Sequence, residues 1–369
     1  MNIQRDKIKI IASTKSWIEG EAVRQLESSM NLPGMEFVVG LPDLHPGKGN
    51  PVGAAFAAKG RLYPFLVGND IGCGIGMWRT SLLKNKLKKD RWVKRLSSLH
   101  DPWDGDYDLW FEQSALGPKS WESSMGTIGG GNHFAELQMV ESIEDHEAFK
   151  QLCLERDGLV LVIHSGSRGL GESILRRHVE HFGAKGTEET SEEASIYLAD
   201  HNYAMRWAAA NRELIAQRFL SALSAEGSKI LDLCHNSVLP VHFDGSPYWL
   251  HRKGAAPSDQ GPVMIPGSRG AFSYLVVPIG DHSGNAYSIA HGAGRKWGRN
   301  AIKDRLKGKV DLASLRQTKL GSLVVCDDKD LLFEEAPDAY KSIETVIDDL
   351  KNAGLIRVIA VFRPVITFK

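Results

Sequence analysis

The feature that most constrains the fold of this chain is a set of short polar segments, rich in glycine, that lie far apart in the sequence. They read Asn-Asp-Ile-Gly-Cys-Gly (69–74), Gly-Gly-Gly-Asn-His (129–133), His-Ser-Gly-Ser-Arg-Gly (164–169), Cys-His-Asn (234–236) and His-Gly-Ala-Gly-Arg (291–295). Cysteine, histidine and aspartate are usual ligands of borderline transition metals. Glycine neighbours let backbone N–H groups approach a phosphate. The pattern predicts a fold that gathers these segments around metal and phosphate.

The overall composition is that of an ordinary globular protein, with two local exceptions. The 369 residues can bury a large core, and 42% of them are hydrophobic and 24% charged. The formal net charge is zero, so nothing global indicates nucleic acid binding. Residues 84–95 and 295–309, however, each carry seven basic side chains against one aspartate. The first run fits a solvated helix face, and the second, which starts in the 291–295 segment, fits a solvated face or a polyanion contact equally well.

Cysteine usage and the lack of targeting signals indicate the compartment. Cys73, Cys153, Cys234 and Cys326 are too few and too scattered for a disulfide framework. The N-terminal residues do not form a signal peptide, and no apolar run approaches the roughly 18 residues of a membrane span. We therefore expect a cytoplasmic protein with no membrane partner.

Short β-rich runs and interleaved helices indicate the fold class. The runs cover residues 37–39, 160–163, 274–277, 323–325 and 358–361. A helix is predicted from about residue 204 to 225, and Asn211 on its apolar stripe is expected to be a structural amide in a buried network. Because there is no regular βαβ alternation, repeat or linker, we predict one α+β domain over residues 1–369.

Three residues in two of the segments are the first candidate metal ligands. Asp70 and Cys73 are three residues apart in a glycine-rich turn, so both side chains can point to one spot. An isolated cysteine is usually an inert core residue, but a thiolate between two glycines and near a carboxylate is typical of a metal ligand. Cys234 and His235 are adjacent and rarely reach the same metal, so we assign His235 as the ligand and Cys234 to packing.

The two central histidines are further candidates. His133 follows three glycines and Asn132, and Glu136 comes one helical turn later, so we expect a loop that runs into a helix, or a helix capped by Asn132. His164 ends a predicted buried strand, where a hydrogen-bonded core histidine is the default. The Ser-Gly-Ser-Arg-Gly that follows is typical of an anion nest with Arg168 as a phosphate fork.

His291 differs from the other histidines because Gly292 and Gly294 leave it sterically open and Arg295 is near. An open imidazole beside a phosphate cradle suits nucleophilic attack on phosphorus, which gives a covalent phosphoramidate. A further metal ligand or a simple phosphate donor are the alternatives.

Taken together, these segments resemble the RtcB family of RNA ligases from about residue 41 to residue 369. The landmarks, in order, are Pro-Asp-Leu-His-Pro-Gly (42–47), Asp-Ile-Gly-Cys-Gly (70–74), Gly-Gly-Asn-His-Phe (130–134), His-Ser-Gly-Ser-Arg-Gly (164–169), Ile-Pro-Gly-Ser (265–268), His-Gly-Ala-Gly-Arg (291–295) and Glu-Ala-Pro-Asp-Ala-Tyr-Lys (335–341). The resemblance implies a β-rich core flanked by helices around one deep metal cleft.

The resemblance also implies an activity. It is the joining of RNA ends with a 2′,3′-cyclic phosphate or 3′-phosphate to 5′-hydroxyl ends, in RNA repair, with GTP and two Mn²⁺ as cofactors. The reaction would pass through a guanylylated histidine, His291, and an RNA-3′-pp-5′-G intermediate.

Residue roles follow from the same resemblance. The implied metal ligands are Cys73 as a bridge, with Asp70 and His133 on one metal and His164 and His235 on the other. The implied guanylate-binding positions are Asn132, Glu136, Ser268, Ser273, His291, Gly292, Gly294, Arg295, Tyr340 and Lys369. Glu136 would read the guanine edge, and Arg168, Arg269 and Arg295 would hold phosphates of RNA or GTP.

Two departures from the family pattern point to one branch, and two other classes of protein stay open. Asn69 stands where a hydrophobic residue is commoner, and Arg269 stands where methionine is usual. These features resemble the bacterial branch coupled to release factor H. The alternatives are a metal-dependent phosphoesterase and a non-catalytic RNA- or ribosome-binding protein with a structural metal.

Overall fold

Strands and helices alternate irregularly along the chain in the computed structural model, which describes residues 7–117, 121–183, 185–243 and 245–369. The strands are β1 (Ile8–Ile10), β2 (Met35–His45), β3 (Val52–Ala58), β4 (Arg61–Leu62), β5 (Gly74–Leu83), β6 (Phe134–Ile143), β7 (Gly158–Ser165), β8 (Thr187–Glu188), β9 (Gly227–Cys234), β10 (Asn236–Phe243), β11 (Ser246–Lys253), β12 (Ala255–Pro257), β13 (Val263–Pro266), β14 (Ser273–Pro278), β15 (Ser288–Ala290), β16 (Leu323–Val325) and β17 (Ile356–Phe368).

The helices cover the sheets and connect the strands. They are α1 (Gly20–Met30), α2 (Pro64–Val67), α3 (Lys89–Leu96), α4 (Tyr107–Gln113), α5 (His146–Gln151), α6 (Gly169–Phe182), α7 (Glu192–Ala222), α8 (Arg299–Leu306), α9 (Leu312–Leu315), α10 (Lys329–Glu334) and α11 (Ile343–Asn352). Across the four described ranges, no helix combines the length and the apolar character that a membrane crossing requires.

Among the described residues, the strands form two large sheets and two short pairs. The larger sheet has the order β13-β14-β17-β6-β7-β5-β9, and β16 adds to the end of β17. The smaller sheet has the order β1-β2-β3-β11-β10, while β12 pairs with β15 and β4 with β8. Neighbouring strands are antiparallel except for the β1–β2 and β16–β17 pairs. The prediction of an α+β fold with a β-rich core and flanking helices is confirmed.

The last strand, β17, lies in the middle of the larger sheet, bonded to β14 on one side and to β6 on the other. Its side chains are buried along almost its whole length. Val365 and Ile366 pack in a cluster with residues of α7, and Ile359 packs in a second cluster on another part of the strand. The strand predicted at residues 358–361 is therefore confirmed as part of a longer one, whose tip holds the terminal residue Lys369.

Helix α7 packs against the larger sheet and begins earlier than its sequence indicated. Ser191 caps it by accepting a hydrogen bond from the Ala194 N–H, so the helix starts at Glu192 rather than near residue 204. The expected start was wrong because polar residues such as Glu192, Glu193 and Asp200 interrupt the apolar pattern of the first turns, although Ala194 and Tyr197 already pack in the core. Asn211 has the predicted structural role, since its amide bonds backbone or side-chain groups of Gly126, Thr127, Ser165 and Gly166.

The expected helix after His133 is wrong, because Phe134–Ile143 form strand β6. This strand lies between β17 and β7, and the pairing with both neighbours outweighs the local spacing that indicated a helix. The correction changes the geometry of Glu136. In a strand, alternate side chains share a face, so Glu136 points to the same side as Phe134 and Gln138.

Candidate metal and nucleotide site

The polar segments meet at one end of the strands of the larger sheet, because neighbouring strands in that sheet are antiparallel. In such a sheet the start of one strand lies beside the end of the next. Gly74 at the start of β5 is opposite Ser165 at the end of β7 and Cys234 at the end of β9. Phe134 at the start of β6 is opposite His164. The predicted metal ligands next to these positions are thereby brought together from four separate parts of the chain.

The turn that carries the 69–74 segment is held against α7 by close packing and by a buried arginine. Gly72 has a φ of +78°, and a Cβ atom there would lie 2.8 Å from Cβ of Ala208, so no larger residue fits. Nη1 of Arg212 donates to the carbonyls of Gly72 (2.8 Å) and Ser165 (2.9 Å). Its Nε donates to Oδ1 of Asp232 at 2.6 Å, so its charge is paired. One guanidinium therefore fixes two of the ligand-bearing segments.

The five predicted metal ligands form one continuous cluster of side chains. The Cys73 Sγ atom is 3.3 Å from Nε2 of His133 and 3.2 Å from Nε2 of His164. Oδ2 of Asp70 is 2.9 Å from Nε2 of His133, and Nε2 of His164 is 3.3 Å from Nε2 of His235. The ligand atoms form two groups, each within 4.8 Å, and Cys73 belongs to both.

Two of the imidazoles have a backbone carbonyl next to Nδ1, which bears on the tautomer that a metal ligand needs. Nδ1 of His133 is 3.1 Å from the carbonyl oxygen of Ile128, and Nδ1 of His164 is 3.1 Å from that of Asn132. A carbonyl only accepts, so Nδ1 of His164 carries the proton and its Nε2 presents a lone pair to the cluster. Nε2 of His133 faces the Asp70 carboxylate, and a cation bound between these two groups would favour the same tautomer for His133. Facing lone pairs repel unless a cation lies between them.

The ionisation states of the side chains in this cluster also fit a divalent cation. Burial lowers the pKa of His164 and His235 well below the ordinary value, so both rings stay neutral. Burial, together with the carboxylate of Asp70, raises the pKa of the Cys73 thiol well above its ordinary value. Oδ1 of Asp70 is buried, with no hydrogen-bond partner in the described part of the chain. A bound cation would give this oxygen a partner and would replace the proton of the Cys73 thiol.

His291 lies beside this cluster, immediately after β15. Its ring centroid is 4.6 Å from that of His235. Its Nδ1 is 2.6 Å from Oδ2 of Asp43, and its backbone N–H donates to the same oxygen at 3.2 Å. A Cβ atom on Gly254 would lie 2.8 Å from Cε1 of the ring, so that position admits only glycine. Because the Asp43 bond occupies Nδ1, Nε2 is the nitrogen available for chemistry.

A single cleft of about 530 Å³ joins the metal cluster, His291 and most of the other predicted positions. Its lining includes every residue assigned from the sequence except Ser273. Arg295, Arg299 and Lys369 supply positive charge to its wall, beside the carboxylates of Glu136 and Glu335.

The comparisons with known proteins agree with this geometry. The family model described as "tRNA-splicing ligase RtcB" matches residues 25–101 and 111–369. The chain belongs to the RtcB family. An Escherichia coli protein named RNA-splicing ligase RtcB2 is 50% identical over 367 residues, covering 99% of this chain and 96% of the relative. The tRNA-splicing ligase RtcB of Archaeoglobus fulgidus is 28% identical, covering 94% and 90%. The match to the RtcB family begins before residue 41, where the sequence landmarks began, and is interrupted at 102–110.

The position predicted to bind guanine combines the buried carboxylate of Glu136 with the partly buried ammonium of Lys369. The Glu136 carboxylate accepts hydrogen bonds from Nε2 of Gln138 (2.7 Å, at Oε1) and from Oγ1 of Thr367 (2.5 Å, at Oε2), and burial raises its pKa to about 7. Nζ of Lys369 donates to the carbonyls of Gly131 (2.9 Å) and His133 (3.2 Å). Burial lowers the pKa of this lysine to about 8. These two hydrogen bonds fix the Lys369 side chain in the cleft.

Ser273 is the predicted guanylate position that the structure places away from the cleft lining. Its Oγ accepts a hydrogen bond from Nε2 of Gln138 at 2.9 Å, and the same amide also bonds Glu136. Ser273 therefore lies behind Glu136 and reaches the cleft through Gln138. Asn132, Ser268, Gly292 and Gly294 line the cleft directly.

The predicted arginines occupy different environments. Arg295 donates from Nη1 to Oε1 of Glu335 at 3.0 Å and lies over the Tyr340 ring, whose hydroxyl donates to the same carboxylate. Arg269 is 5% exposed, and its Nη2 donates to the Leu332 carbonyl at 2.8 Å. Its Nε and Nη1 have no hydrogen-bond partner in the described ranges. These two buried donors point to an anion that the protein does not itself supply.

Arg168 lies at the other side of the metal cluster in a strained backbone conformation. Its φ is +58° and its ψ is −142°, which only glycine adopts easily. Nη1 of this guanidinium is 3.4 Å from Nδ1 of His133, and the residue lines the cleft. Backbone strain at a residue in the cleft wall is typical of functional sites, so the conformation of Arg168 fits a side chain that contacts a ligand.

Sequence reasoning missed three residues that shape the site, Asp43, His45 and Glu335. All three stand inside segments that carried the family resemblance, yet no role was assigned to them. His45 bonds the Asp43 carbonyl through Nδ1 at 2.8 Å, and burial lowers its pKa to about 4. Asp43 is fully buried, and Glu335 is 1% exposed. Their place in the 42–47 and 335–341 segments was the available signal.

Proposed function

We propose that this chain is a GTP-dependent RNA ligase that joins ends with a 2′,3′-cyclic phosphate or 3′-phosphate to 5′-hydroxyl ends. One observation carries the proposal. His291, oriented by Asp43, shares a cleft with two metal-ligand groups that have Cys73 in common. Family membership and the printed names of the relatives, RNA-splicing and tRNA-splicing ligases, support the same class of reaction.

Two Mn²⁺ ions would be held by the five-residue cluster, with Cys73 shared between Asp70 and His133 on one side and His164 and His235 on the other. Bound Mn²⁺ would polarise phosphoryl oxygens and offset the negative charge that develops on them. The donor set also suits Zn²⁺, which binds such ligands more tightly, so metal availability decides which ion is used.

His291 would act as the nucleophile toward GTP. Its Nδ1–H is donated to Asp43, so Nε2 holds the lone pair that attacks the α-phosphorus. The bond from the α-phosphorus to the bridging oxygen breaks, and pyrophosphate leaves. The imidazole in the resulting phosphoramidate is cationic, and the buried Asp43 carboxylate stabilises that charge.

The guanylylated histidine would then activate the RNA. Water opens a cyclic phosphate to a 3′-phosphate, and an oxygen of that phosphate attacks the phosphorus on His291. The P–N bond breaks, which restores the histidine and gives RNA-3′-pp-5′-G. The 5′-hydroxyl of the second strand attacks the RNA phosphorus, and GMP leaves with the electron pair. Activation splits one difficult condensation into steps with good leaving groups.

Guanine selection would come from the Glu136 and Lys369 pair. The Glu136 oxygens each accept one protein hydrogen bond, which leaves lone pairs for the N1–H and N2–H groups of guanine. The Lys369 ammonium has three protons and uses two on carbonyls, which leaves one for guanine O6. Adenine has the opposite donor and acceptor pattern on this edge.

The phosphates would be held by guanidinium groups on both sides of the cleft. Arg269 offers two buried, unpartnered N–H groups in the described structure, and Arg168 lies next to His133. Arg295 follows the His-Gly-Ala-Gly segment directly. Planar guanidinium forks bind phosphate oxygens in pairs, which a lysine cannot do.

The cellular setting is part of the proposal. We infer one catalytic domain over residues 1–369 that acts in the cytoplasm in RNA repair. Arg269 and Asn69 support functional coupling to release factor H. The 50% identity to a protein named RtcB2, against 27% to the RtcB of Escherichia coli K12, supports a branch distinct from the latter.

Incubation with α-labelled GTP and Mn²⁺ tests the proposal. A ligase of this type becomes covalently labelled, whereas a phosphoesterase or an RNA-binding protein with a structural metal does not. His291→Ala should abolish the label and leave the metal content and melting temperature unchanged, because His291 is outside the two ligand groups. GMP retained on this variant, detected by intact mass, would show that another residue is the nucleophile.

A further inference from the structure

Outside the cleft, an aromatic and basic surface is formed by Trp17, Lys296, Trp297 and Arg305, and is here called the tryptophan platform. Nζ of Lys296 lies 5.4 Å from the centroid of the Trp17 ring and 6.0 Å from that of Trp297. Cζ of Arg305 lies 4.2 Å from the centroid of Trp297. The two cations and two indole rings therefore alternate within cation–π distance.

The platform is fixed to the body of the protein from both sides. Trp17 belongs to the segment between β1 and α1, and the neighbouring Ser16 hydroxyl donates to the Asp349 carboxylate on α11. The backbone N–H groups of Lys296 and Trp297 both donate to the Ala339 carbonyl, at 2.8 and 3.2 Å. The rings are thus positioned before any ligand arrives, which lowers the entropy cost of binding.

Trp17, Lys296 and Arg305 are exposed to solvent, Trp297 is partly exposed, and the two cations of the platform are not paired with carboxylates in the described ranges. Trp17 is 52% exposed, the largest exposure among the large hydrophobic side chains found exposed in the described ranges. In the same ranges, neither Lys296 nor Arg305 has a carboxylate within ion-pair distance, whereas Lys303 on the same helix pairs with Asp330. An exposed indole costs free energy in water, and a pair of free cations attracts a polyanion.

The platform continues the wall of the cleft. Arg295 and Arg299 line the cleft, and Lys296 and Trp297 lie between them in the sequence. Nη2 of Arg299 lies so close to Gly131 that a Cβ atom there would be 2.4 Å away, which places this arginine at the nucleotide end of the cleft. A strand that leaves the cleft past Arg295 and Arg299 therefore meets the platform next.

We propose that the tryptophan platform binds the single-stranded RNA next to the ends being joined. The bases would stack on Trp17 and Trp297, and the phosphates would lie on Lys296 and Arg305. This inference rests on the proposed function, because it extends the RNA path from the same cleft. Trp17 precedes the residues that match the family model, so the platform combines that match with an N-terminal segment outside it.

An acidic protein segment is the other ligand that the positive charge of the platform, taken alone, would allow. A carboxylate-rich peptide matches the two cations but offers no flat ring to the indoles. Nucleotides match both features at once, since every base has a π-face and every phosphate a charge. RNA is therefore the occupant to which the inference commits.

Binding of RNAs of two lengths tests the platform. Fluorescence anisotropy of end-labelled RNA is measured for a strand of roughly ten nucleotides, within the span of known single-strand sites, and for a trimer that fits the cleft alone. Strands with a 3′-phosphate and strands with a 5′-hydroxyl are titrated separately, to learn which of the two follows the platform. Trp17→Ala should weaken binding of the longer RNA by about tenfold, the loss of one stacked base, and leave the trimer unchanged.

A second variant reports on the charge. Lys296→Gln should reduce the slope of log affinity against log salt by about 0.7, the contribution of one phosphate contact on a single strand. Matched controls are Phe182→Ala, which truncates an aromatic ring that is 38% exposed on helix α6, and Lys94→Gln, which removes a charge on helix α3. Neither control should change binding of either RNA.

Covalent labelling by GTP, measured in parallel, separates the two proposals. Labelling without any effect of Trp17→Ala and Lys296→Gln on the longer RNA would overturn the platform and leave the ligase intact. Loss of binding to a glutamate-rich peptide, with RNA binding unchanged, would also overturn it in favour of a protein contact. If Trp17→Ala lowers the melting temperature, Lys296→Gln decides the question alone. Absence of labelling in the parent protein would instead contradict the proposed ligase.

Discussion

Oδ2 of Asp43 lies 2.6 Å from Nδ1 of His291 and also accepts the His291 backbone N–H. Asp43 is fully buried, and its other oxygen, Oδ1, has no hydrogen-bond partner in the described part of the chain. The pair sets both the orientation of the ring and the nitrogen that carries the proton. It also places a negative charge where a phosphorylated imidazole would become positive.

Asp43→Asn should slow the covalent labelling of His291 by a factor on the order of 10²–10⁴, as loss of an orienting carboxylate does in other enzymes. The amide can present an N–H to Nδ1, which favours the tautomer that protonates Nε2 and removes its lone pair. The rate of labelling at saturating GTP measures the effect, and the metal content, as control, should not change. A rate within threefold of the parent would show that Asp43 has only a structural role.

Cys73→Ala should lose most of the bound metal from both ligand groups, because the thiol belongs to both. Elemental analysis after loading with Mn²⁺ and desalting measures this loss. Binding should release about one proton from the thiol, whose pKa burial and Asp70 raise, and calorimetry in buffers of different ionisation enthalpy should show that proton missing in the variant. Cys234→Ala is the matched control, because Cys234 bonds the Asn236 carbonyl and lies outside both groups. Full metal occupancy in Cys73→Ala would make Cys73 a packing residue.

Guanosine binding without metal should depend on pH through Glu136 and Lys369. Burial raises the pKa of Glu136 from 4.5 to about 7, so the free protein holds it protonated below that pH. Guanine needs the ionised form, so affinity should rise about tenfold per pH unit up to pH 7. Burial lowers the pKa of Lys369 from 10.5 to about 8, so affinity should fall again above pH 8 as the ammonium is lost.

Calorimetric titration between pH 5 and pH 9 measures this profile, which should be highest between 7 and 8. Glu136→Gln should bind guanosine more weakly and lack the rising limb, because the amide does not ionise. A flat profile below pH 7 in the parent protein would show that Glu136 does not read the base.

Deletion of Lys369 should weaken GTP use by about 1.5–3 kcal/mol, the value of one charge-assisted hydrogen bond. Lys369→Met is the sharper variant, since it keeps the chain length and the packing of the tip while removing the ammonium. Labelling titrations with GTP and with ATP measure the change, and the preference for GTP should fall in both variants. An unchanged dependence on GTP would assign Lys369 to holding the 131–133 turn alone.

Much of the site was predictable because its chemistry is local. Residue type and glycine neighbours were enough to predict a role for several residues. Examples are the cysteine between two glycines, the histidines at glycine-rich turns and the histidine of the His-Gly-Ala-Gly segment. The strands at 160–163, 274–277, 323–325 and 358–361 were also predictable, because β-branched residues concentrate there. Together with the order of the landmarks, these features were enough to indicate the family.

The errors occurred where a local pattern fits two structures. Glu136, three residues after His133, has helical spacing, yet the pairing of β6 with β17 and β7 makes it a strand residue. Ser273 stays a predicted guanylate position from the family pattern, and its hydrogen bond with Gln138 places it behind Glu136. The predicted start of helix α7 was late because Glu192, Glu193 and Asp200 interrupt the apolar positions of its first turns, although Ala194 and Tyr197 are buried there.

The sequence by itself determined which side chains can bind metal, attack phosphorus and hold phosphate, since those capacities belong to single residues and their immediate neighbours. Only the tertiary structure decided which residues act as pairs. Asp43 and His291 are 248 residues apart, and Trp17 reaches Lys296 across most of the chain. Such pairs depend on sheet register and loop packing, which follow from the combined burial of many distant side chains rather than from any local pattern.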